Sequence, residues 1–222
     1  MTGIWAVIPV KELAGAKQRL AAFLTQDERH RLALTMLDDV LGALAGATRL
    51  AGLALVTLDP NATAIAKHHN WRVITQGARD GHTGSVDAAR TILAAEGITG
   101  ILTLPADIPA TTAAEIDATL AAHSAFTIVP AHDEQGSNTI ILSPPLAVKL
   151  RFGENSYFPH LEAARAAGIS PTIVHQPGIA MDIDHPADLA AFLRLPQSAG
   201  TRTRVLLEAT GVPQKLADFG LA

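Results

Sequence analysis

Ile98-Thr-Gly-Ile-Leu-Thr-Leu-Pro-Ala-Asp-Ile-Pro-Ala110 is the stretch on which the fold turns. Its first half is a short apolar run with β-branched residues, which predicts a buried strand. Pro105 and Pro109 bracket Asp107. Each proline fixes φ and lacks an N–H donor, so strand pairing ends here and a carboxylate is left at the carboxyl end of a strand. Open α/β sheets bind their ligands at that end. Asp107 could instead cap the helix that starts near Thr111, but Thr112-Ala-Ala-Glu115 already supplies a capping box for it. Asp107 is therefore read as a metal ligand.

Toward the N-terminus, Ile4–Val10 is a second apolar run of strand length. The loop Lys11-Glu-Leu-Ala-Gly-Ala-Lys-Gln-Arg-Leu20 follows it. Lys11, Lys17 and Arg19 surround Gly15 just past a strand end, a grouping that suits a triphosphate. The loop matches neither the Walker A pattern nor G-x-G-x-x-G, and a solvated basic loop is the competing reading. Thr25-Gln-Asp-Glu28 is a capping box opening a helix to about Leu44, with an apolar stripe of Leu37, Val40, Leu41 and Leu44. Gly52–Leu58 reads as a strand, Asp59-Pro-Asn61 as its turn, and a short helix runs to about His69. His68 and His69 are neighbours and face different sides, so both are read as surface residues. Trp71–Thr75 is a shorter strand.

The loop Gln76–Ser85 carries Gly77, Gly81 and Gly84 and opens a helix running to about Ala95. Glycines let backbone approach a flat ligand and the helix N-terminus offers free N–H groups, so Gly81, Gly84 and Ser85 join Lys11 as nucleotide-binding candidates. An ordinary connection would look the same. After the Asp107 strand come a helix over about 113–122, strand Phe126–Pro130, a polar loop over 132–139 and strand Ile140–Leu142. Arg151–Ser156 is a polar turn. Ser156 either caps the helix carrying His160 and Leu161, or holds an anion there with that helix N-terminus, or does both. Thr172–Val174 is a last strand. In Met181–Leu189, Asp182 and Asp184 stand two apart and share a face of extended chain. With Asp107 they would form a hard-oxygen site for Mg²⁺; alternatively Asp184 caps the helix at Pro186. After Pro196 only Arg204–Glu208 reads as helix, and the final residues are expected to be loosely held. One domain over residues 1–196 and a C-terminal extension over 197–222 are thus expected.

Composition narrows the classes. The chain has 222 residues, 48% of them hydrophobic, enough for one sizeable α/β domain. A net charge of -4 argues against a general nucleic-acid surface. Without cysteine there is no disulfide, thiolate metal site or cysteine nucleophile. No run approaches the roughly 18 apolar residues of a membrane span, and Met1–Val7 lacks the basic region of a signal peptide. A cytoplasmic protein with neither nucleic-acid nor membrane partner is expected.

Taken in order, Ile8-Pro-Val-Lys-Glu-Leu13, Ala16-Lys-Gln-Arg-Leu20, Leu104–Pro109, Gly136-Ser-Asn-Thr139, Phe152-Gly-Glu-Asn-Ser156 with His160, and Asp182-Ile-Asp-x-Pro-x-Asp-Leu189 resemble the CofC/FbiD-type guanylyltransferases of coenzyme F-420 biosynthesis. The resemblance runs over about residues 4–195; Phe152-Gly-x-x-Ser156 with His160 discriminates best, because related nucleotidyltransferases share the other motifs. It implies a Rossmann-like nucleotidyltransferase fold, a three-layer sandwich on a mostly parallel sheet. It also implies GTP and a phosphorylated three-carbon acid as substrates: 2-phospho-L-lactate, phosphoenolpyruvate or 3-phospho-D-glycerate. Pyrophosphate is released, and the product is handed to the next enzyme of the pathway. Carried over by position, Thr139, Gly153 and Ser156 match acceptor contacts, and Asp107, Asp182 and Asp184 match metal-binding acids. Asn138 departs from the Thr of some relatives, which bears on acceptor identity, and Gln18 from a common Ser.

Such a reaction needs no strong base, because the attacking phosphate is already an anion. It needs charge neutralisation. Mg²⁺ on the three acids would supply that at the α-phosphate, Lys17 and Arg19 would hold the leaving phosphates, and Lys11 would assist at the nucleotide. A molybdopterin or sugar-phosphate nucleotidyltransferase using GTP or CTP is the neighbouring alternative, and a nucleotide-sensing module the non-enzymatic one.

Overall fold

The computed structural model describes residues 2–221 as a seven-stranded sheet with helices on both faces. The strands are β1 (Ile4–Val10), β2 (Gly52–Thr57), β3 (Arg72–Ile74), β4 (Gly100–Thr103), β5 (Phe126–Pro130), β6 (Ser137–Leu142) and β7 (Thr172–Ile173). Their spatial order is β3-β2-β1-β4-β6-β5-β7. Only β6 runs antiparallel, between β4 and β5; the other pairings are parallel. The mostly parallel sheet that the resemblance implies is therefore present. The central strands are buried along nearly their whole length because helices cover both faces.

The helices are α1 (Gln26–Gly46), α2 (Pro60–His68), α3 (Gly81–Ala95), α4 (Ala113–Ala121), α5 (Tyr157–Ala166), α6 (Pro177–Ala180), α7 (Pro186–Arg194), α8 (Arg202–Ala209) and α9 (Val212–Asp218). On one face, Leu37, Val40, Leu41 and Leu44 of α1 pack with Ala62 of α2 and Ile116 of α4 against Ala6 and Ile8. On the other, Val86, Ala89 and Leu93 of α3 pack with Leu161 of α5 against Val7 and Val56. Both expected capping boxes form, Thr25 with Glu28 and Thr112 with Glu115.

Several boundaries differ from the sequence reading for local reasons. β4 starts at Gly100 because Gly97, at φ 82°, ends α3, and the Ile98 N–H bonds back to the Leu93 carbonyl at 3.0 Å. β6 starts at Ser137, so Ser137–Thr139 lies in the sheet and not in a loop. α3 starts at Gly81, which places Gly84 in its first turn and Ser85 just after it.

The stretch after Pro196 is not loosely held. Thr201 caps α8, and the Arg202 and Thr203 N–H groups donate to Asp39 of α1 at 2.9 and 2.8 Å. Leu207, Val212 and Leu216 are buried with Leu32 and Met36 of α1 and Phe192 of α7 in a third apolar cluster. α1 thus carries two apolar stripes, and the second one is covered by the tail. Among the described residues no helix is long and apolar enough to cross a membrane.

Candidate active site

The strand order reverses between β1 and β4, and the chain leaves both strands at their carboxyl ends side by side. That crevice is where an open α/β sheet holds its ligand. The loop after β1 folds into two short 3₁₀ turns, Leu13–Gly15 and Gln18–Leu20. Asp59, at the start of α2, accepts from the Leu13 N–H at 3.1 Å and ties this loop to the end of β2. Gln18 closes the loop by donating to the Gly15 carbonyl at 3.1 Å. Lys17, between the two turns, adopts the left-handed region at φ 56° and turns its side chain inward.

Its ammonium lies 2.6 Å from Asp107 and 2.8 Å from Asp184. Asp107 holds the third segment in place through its backbone, accepting from the Ile183 N–H at 3.1 Å. Asp188 of α7 accepts from the N–H groups of Asp184 and His185 at 2.8 and 2.7 Å. Asp184 therefore does not cap α7: its backbone is held by Asp188, and its carboxylate is paired in the crevice with Lys17 and Arg19. Asn138 on β6 donates to the Ile179 and Ala180 carbonyls, each at 3.0 Å, and to Asp182 at 3.1 Å. The Asn138 departure thus bears on how Asp182 is held, and its amide is committed to the acid segment.

The charge balance follows from this packing. Burial alone would depress the Lys17 pKa, but Asp107 and Asp184 outweigh it and the ammonium is held above its ordinary range. Burial would raise Asp184; Lys17 and then Arg19 outweigh it and lower its pKa. Among the described residues no lysine or arginine pairs with Asp182, and only the His132 ring comes near, at 3.7 Å: burial raises the Asp182 pKa, and the like charges of Asp107 and Asp184 add to that against the Asn138 hydrogen bond.

The three acids do not form a ready-made ligand set. Among the described residues no three acidic or imidazole groups are grouped as metal ligands. Lys17 takes that place, which differs from its expected post on the leaving phosphates. The donor chemistry nevertheless fits a hard divalent cation. Two carboxylates already converge on one ammonium, and the third is destabilised by their charge, so a cation there would relieve all three.

Two cavities meet at these acids. One, of about 510 Å³, is walled by the loop after β1, with His82, Ser85 and Asp107. The other, of about 760 Å³, is walled by Ser137 and Asn138, the turn Phe152–Ser156 and Asp182. Lys11, Arg19, His82, Asp107 and Asp184 border both. Arg19 is half exposed, 3.4 Å from Asp184 and 3.7 Å from Glu154 across the mouth of the second cavity.

The remaining candidates separate. Gly153 and Ser156 line the second cavity; Gly153 holds φ 144°, which a Cβ would strain. Ser156 opens α5 without a side-chain cap bond, so the capping expectation is not met. Thr139 lines neither cavity: it pairs with Val129 in the sheet, is 1% exposed, and its hydroxyl has no protein partner. Ser85 reaches the first cavity, but its hydroxyl lies 2.9 and 2.8 Å from the Gly77 and Gly81 carbonyls and is spent on closing the turn. Gly84 also serves that turn, since a Cβ there would lie 2.4 Å from the Asp80 Cβ. Gly81 borders a separate recess with Lys11 and Arg79.

Sequence reading passed over His82 and Ser137. His82 packs on Phe152 with ring centroids 4.5 Å apart, and burial pushes its pKa down to about 4. Phe152-Gly-x-x-Ser156 gave a signal for that turn, but its partner ring comes from α3, in another part of the chain.

The family model described as "Guanylyl transferase CofC like" matches residues 4–215. The chain belongs to this family. The match runs past Pro196, so the tail is part of the family's extent, contrary to the sequence reading. A phosphoenolpyruvate guanylyltransferase of Sphaerobacter thermophilus is 37% identical over 190 residues, 83% of this chain and 89% of the relative. A 2-phospho-L-lactate guanylyltransferase of Methanothermobacter thermautotrophicus is 31% identical over 204 residues, 91% and 88% of the two chains. A crystal structure from Desulfovibrio desulfuricans, named as a nucleotide-diphospho-sugar transferase, has a TM-score of 0.78 at 19% identity and covers 97% of this chain and 99% of its own. A 4-diphosphocytidyl-2C-methyl-D-erythritol synthase has a TM-score of 0.60 at 16% identity, covering 93% and 99%. These likenesses carry the fold. This CofC-like chain is a guanylyltransferase, a nucleotidyltransferase enzyme on a Rossmann-like three-layer frame, and the molybdopterin and sugar-phosphate alternatives are not favoured.

Proposed function

We propose that this guanylyltransferase joins GMP from GTP to phosphoenolpyruvate or a similar phosphorylated three-carbon acid and releases pyrophosphate. The supporting observation is the pair of cavities that meet at Asp107 and Asp184, the two carboxylates that hold Lys17. Two substrates in adjoining chambers with reacting groups at a common wall is what a group transfer between two anions requires. GTP belongs in the chamber of the basic loop, with Lys11 and Arg19 on its phosphates. The acceptor belongs in the chamber of Gly153 and Ser156.

A phosphate oxygen of the acceptor attacks the α-phosphorus of GTP. The new P–O bond forms as the bond from the α-phosphorus to the α,β-bridging oxygen breaks, and pyrophosphate leaves with that electron pair. No proton need be removed from the nucleophile. Arg19 sits at the shared border, where it can follow the charge moving to pyrophosphate. Asp107, Asp182 and Asp184 would hold Mg²⁺, which would supply charge neutralisation between the two phosphates. His82, neutral and packed on Phe152, borders both chambers without adding charge.

Relatives at 37% and 35% identity carry the name phosphoenolpyruvate guanylyltransferase and one at 31% the 2-phospho-L-lactate name, so phosphoenolpyruvate is the first acceptor to offer. The reading places the protein in the cytoplasm, in coenzyme F-420 biosynthesis, with its reactive product passed to the next enzyme. The test is purified protein with GTP and Mg²⁺, offered each of the three phospho-acids in turn, with products read by mass spectrometry. A guanylyl diphospho-acid and equimolar pyrophosphate are expected. Turnover of CTP with a sugar phosphate, and none with GTP and any of the acids, would overturn the reading.

A further inference from the structure

His160, on α5, is 1% exposed, and both of its ring nitrogens are engaged. The Arg151 backbone N–H donates to Nε2 at 3.0 Å. A backbone N–H can only donate, so Nε2 is the acceptor and a neutral ring carries its proton on Nδ1. Nδ1 lies 3.0 Å from the Ser137 hydroxyl, which therefore accepts. The Ser156 hydroxyl lies 3.4 Å from the same oxygen and donates to it. Burial pushes the His160 pKa down to about 4, with His82 nearby adding to the effect, so the ring is neutral around pH 7.

The direction of this chain has a consequence. Ser137 accepts from one side and from the other, and its own proton has no acceptor among the described residues. Reversing the bond between the two serines does not remove the surplus. The imidazole heads the chain as donor, the two hydroxyls share one bond, and one O–H is left over. Both serines line the larger cavity. We propose that Ser137 binds the acceptor acid through an outward-pointing O–H, and that His160 is the positioning residue that fixes this direction. The proposal rests on the acceptor chamber assigned above and adds to it a specificity rule. The group met here must be an acceptor-only oxygen, as on a carboxylate or phosphate, and an amine would meet a donor.

The test is calorimetric titration of phosphoenolpyruvate into the full chain with Mg²⁺ and the α,β-methylene analogue of GTP. Ser137→Ala should weaken phosphoenolpyruvate about ten- to a hundredfold, the range for a hydrogen bond to a charged group, with the nucleotide analogue's affinity unchanged. Ser137→Thr, which keeps the hydroxyl, should restore most of the loss. His160→Leu should weaken the acid in the wild-type background and add little on top of Ser137→Ala, which a merely structural role would not produce. Long-range ¹H–¹⁵N spectra of the unmodified protein should show His160 neutral with the proton on Nδ1. An Nε2–H tautomer, an unchanged acid affinity in Ser137→Ala, or failure of the wild type to bind the acid would each overturn the proposal. Binding that depends on Ser137 without guanylyl transfer would leave this proposal standing and sink the transfer reading; transfer with a Ser137→Ala affinity equal to wild type would do the reverse.

Discussion

The Lys17 ammonium sits 2.6 Å from the Asp107 carboxylate across 90 residues of chain, and it is the buried cation on which the acidic centre closes. With Asp184 at 2.8 Å, the side chain occupies the space between two carboxylates that would otherwise repel. A tethered ammonium and a divalent ion would draw on the same oxygen lone pairs.

Lys17→Met is therefore expected to tighten the binding of Mn²⁺ to the nucleotide-free protein, by about tenfold or more, while lowering guanylyl transfer. Removing the cation returns both carboxylates to a metal, and a like-charge pair at short range raises the gain from any cation that enters. Calorimetry or Mn²⁺ relaxation on the wild type and variant decides it. Weaker Mn²⁺ binding in Lys17→Met would mean that the lysine organises the acids for the metal and does not compete with it.

Ser156→Ala separates capping from ligand binding. Its side chain makes no cap bond in the structure, so thermal stability should fall by well under the ~1 kcal/mol that a lost cap costs. Its proton is given to Ser137, so the variant loses a bond that orients Ser137 and not a direct contact: the KM for the acceptor should rise severalfold, less than in Ser137→Ala, and that for GTP stay put. A lowered thermal midpoint with an unchanged acceptor KM would restore the capping role.

His160 also gives a pH signature. Its pKa is pushed from the ordinary 6.5 down to about 4 in the folded chain, so the unfolded state binds the proton first as pH falls. Stability from this group is complete above about pH 6.5 and is lost as pH drops toward 4, on the order of 3 kcal/mol in all. His82 is shifted in the same direction. Asp184, lowered by Lys17 and Arg19 against the effect of burial, adds its own loss only below about 3.8. Urea unfolding at stepped pH should show the slope between 6.5 and 4, and His160→Gln should flatten it. An identical slope in the variant would assign the effect elsewhere.

A chain ending at Pro196 should be severely destabilised. The helices it lacks bury Leu207, Val212 and Leu216 against α1 and α7. At roughly 1.5–3 kcal/mol per buried side chain, their loss is comparable to the 5–15 kcal/mol that holds a typical domain together. Thermal melting and solubility of the shortened chain are the readout. An unchanged midpoint would make residues 197–222 a dispensable extension.

Much of this protein can be read in its amino acids alone. The apolar runs of β1, β2 and β4 give strands buried on both faces, because only helix-covered parallel strands tolerate so little polarity. Capping boxes at Thr25 and Thr112 start α1 and α4 where local hydrogen bonding dictates. Pro105 and Pro109 put Asp107 at a strand end. These are local effects, set by neighbours within a few residues. The tertiary structure decided what depends on distant partners. It brought Lys17 between Asp107 and Asp184, from three segments far apart in the chain. It turned Asn138 from a question of acceptor identity into a clamp on Asp182, because the start of β6 lies against the Ile179–Asp182 segment. It covered the second apolar stripe of α1 with a tail whose own pattern is too short and too polar to announce itself. And it set the proton direction at Ser137, which needs the Arg151 N–H at one nitrogen of the buried His160 ring and the Ser137 hydroxyl at the other. Periodicity and capping report what each segment wants by itself; the pairing of buried charges and hydrogen-bond donors is settled only when the segments share a low-dielectric interior and every polar atom must find its partner there.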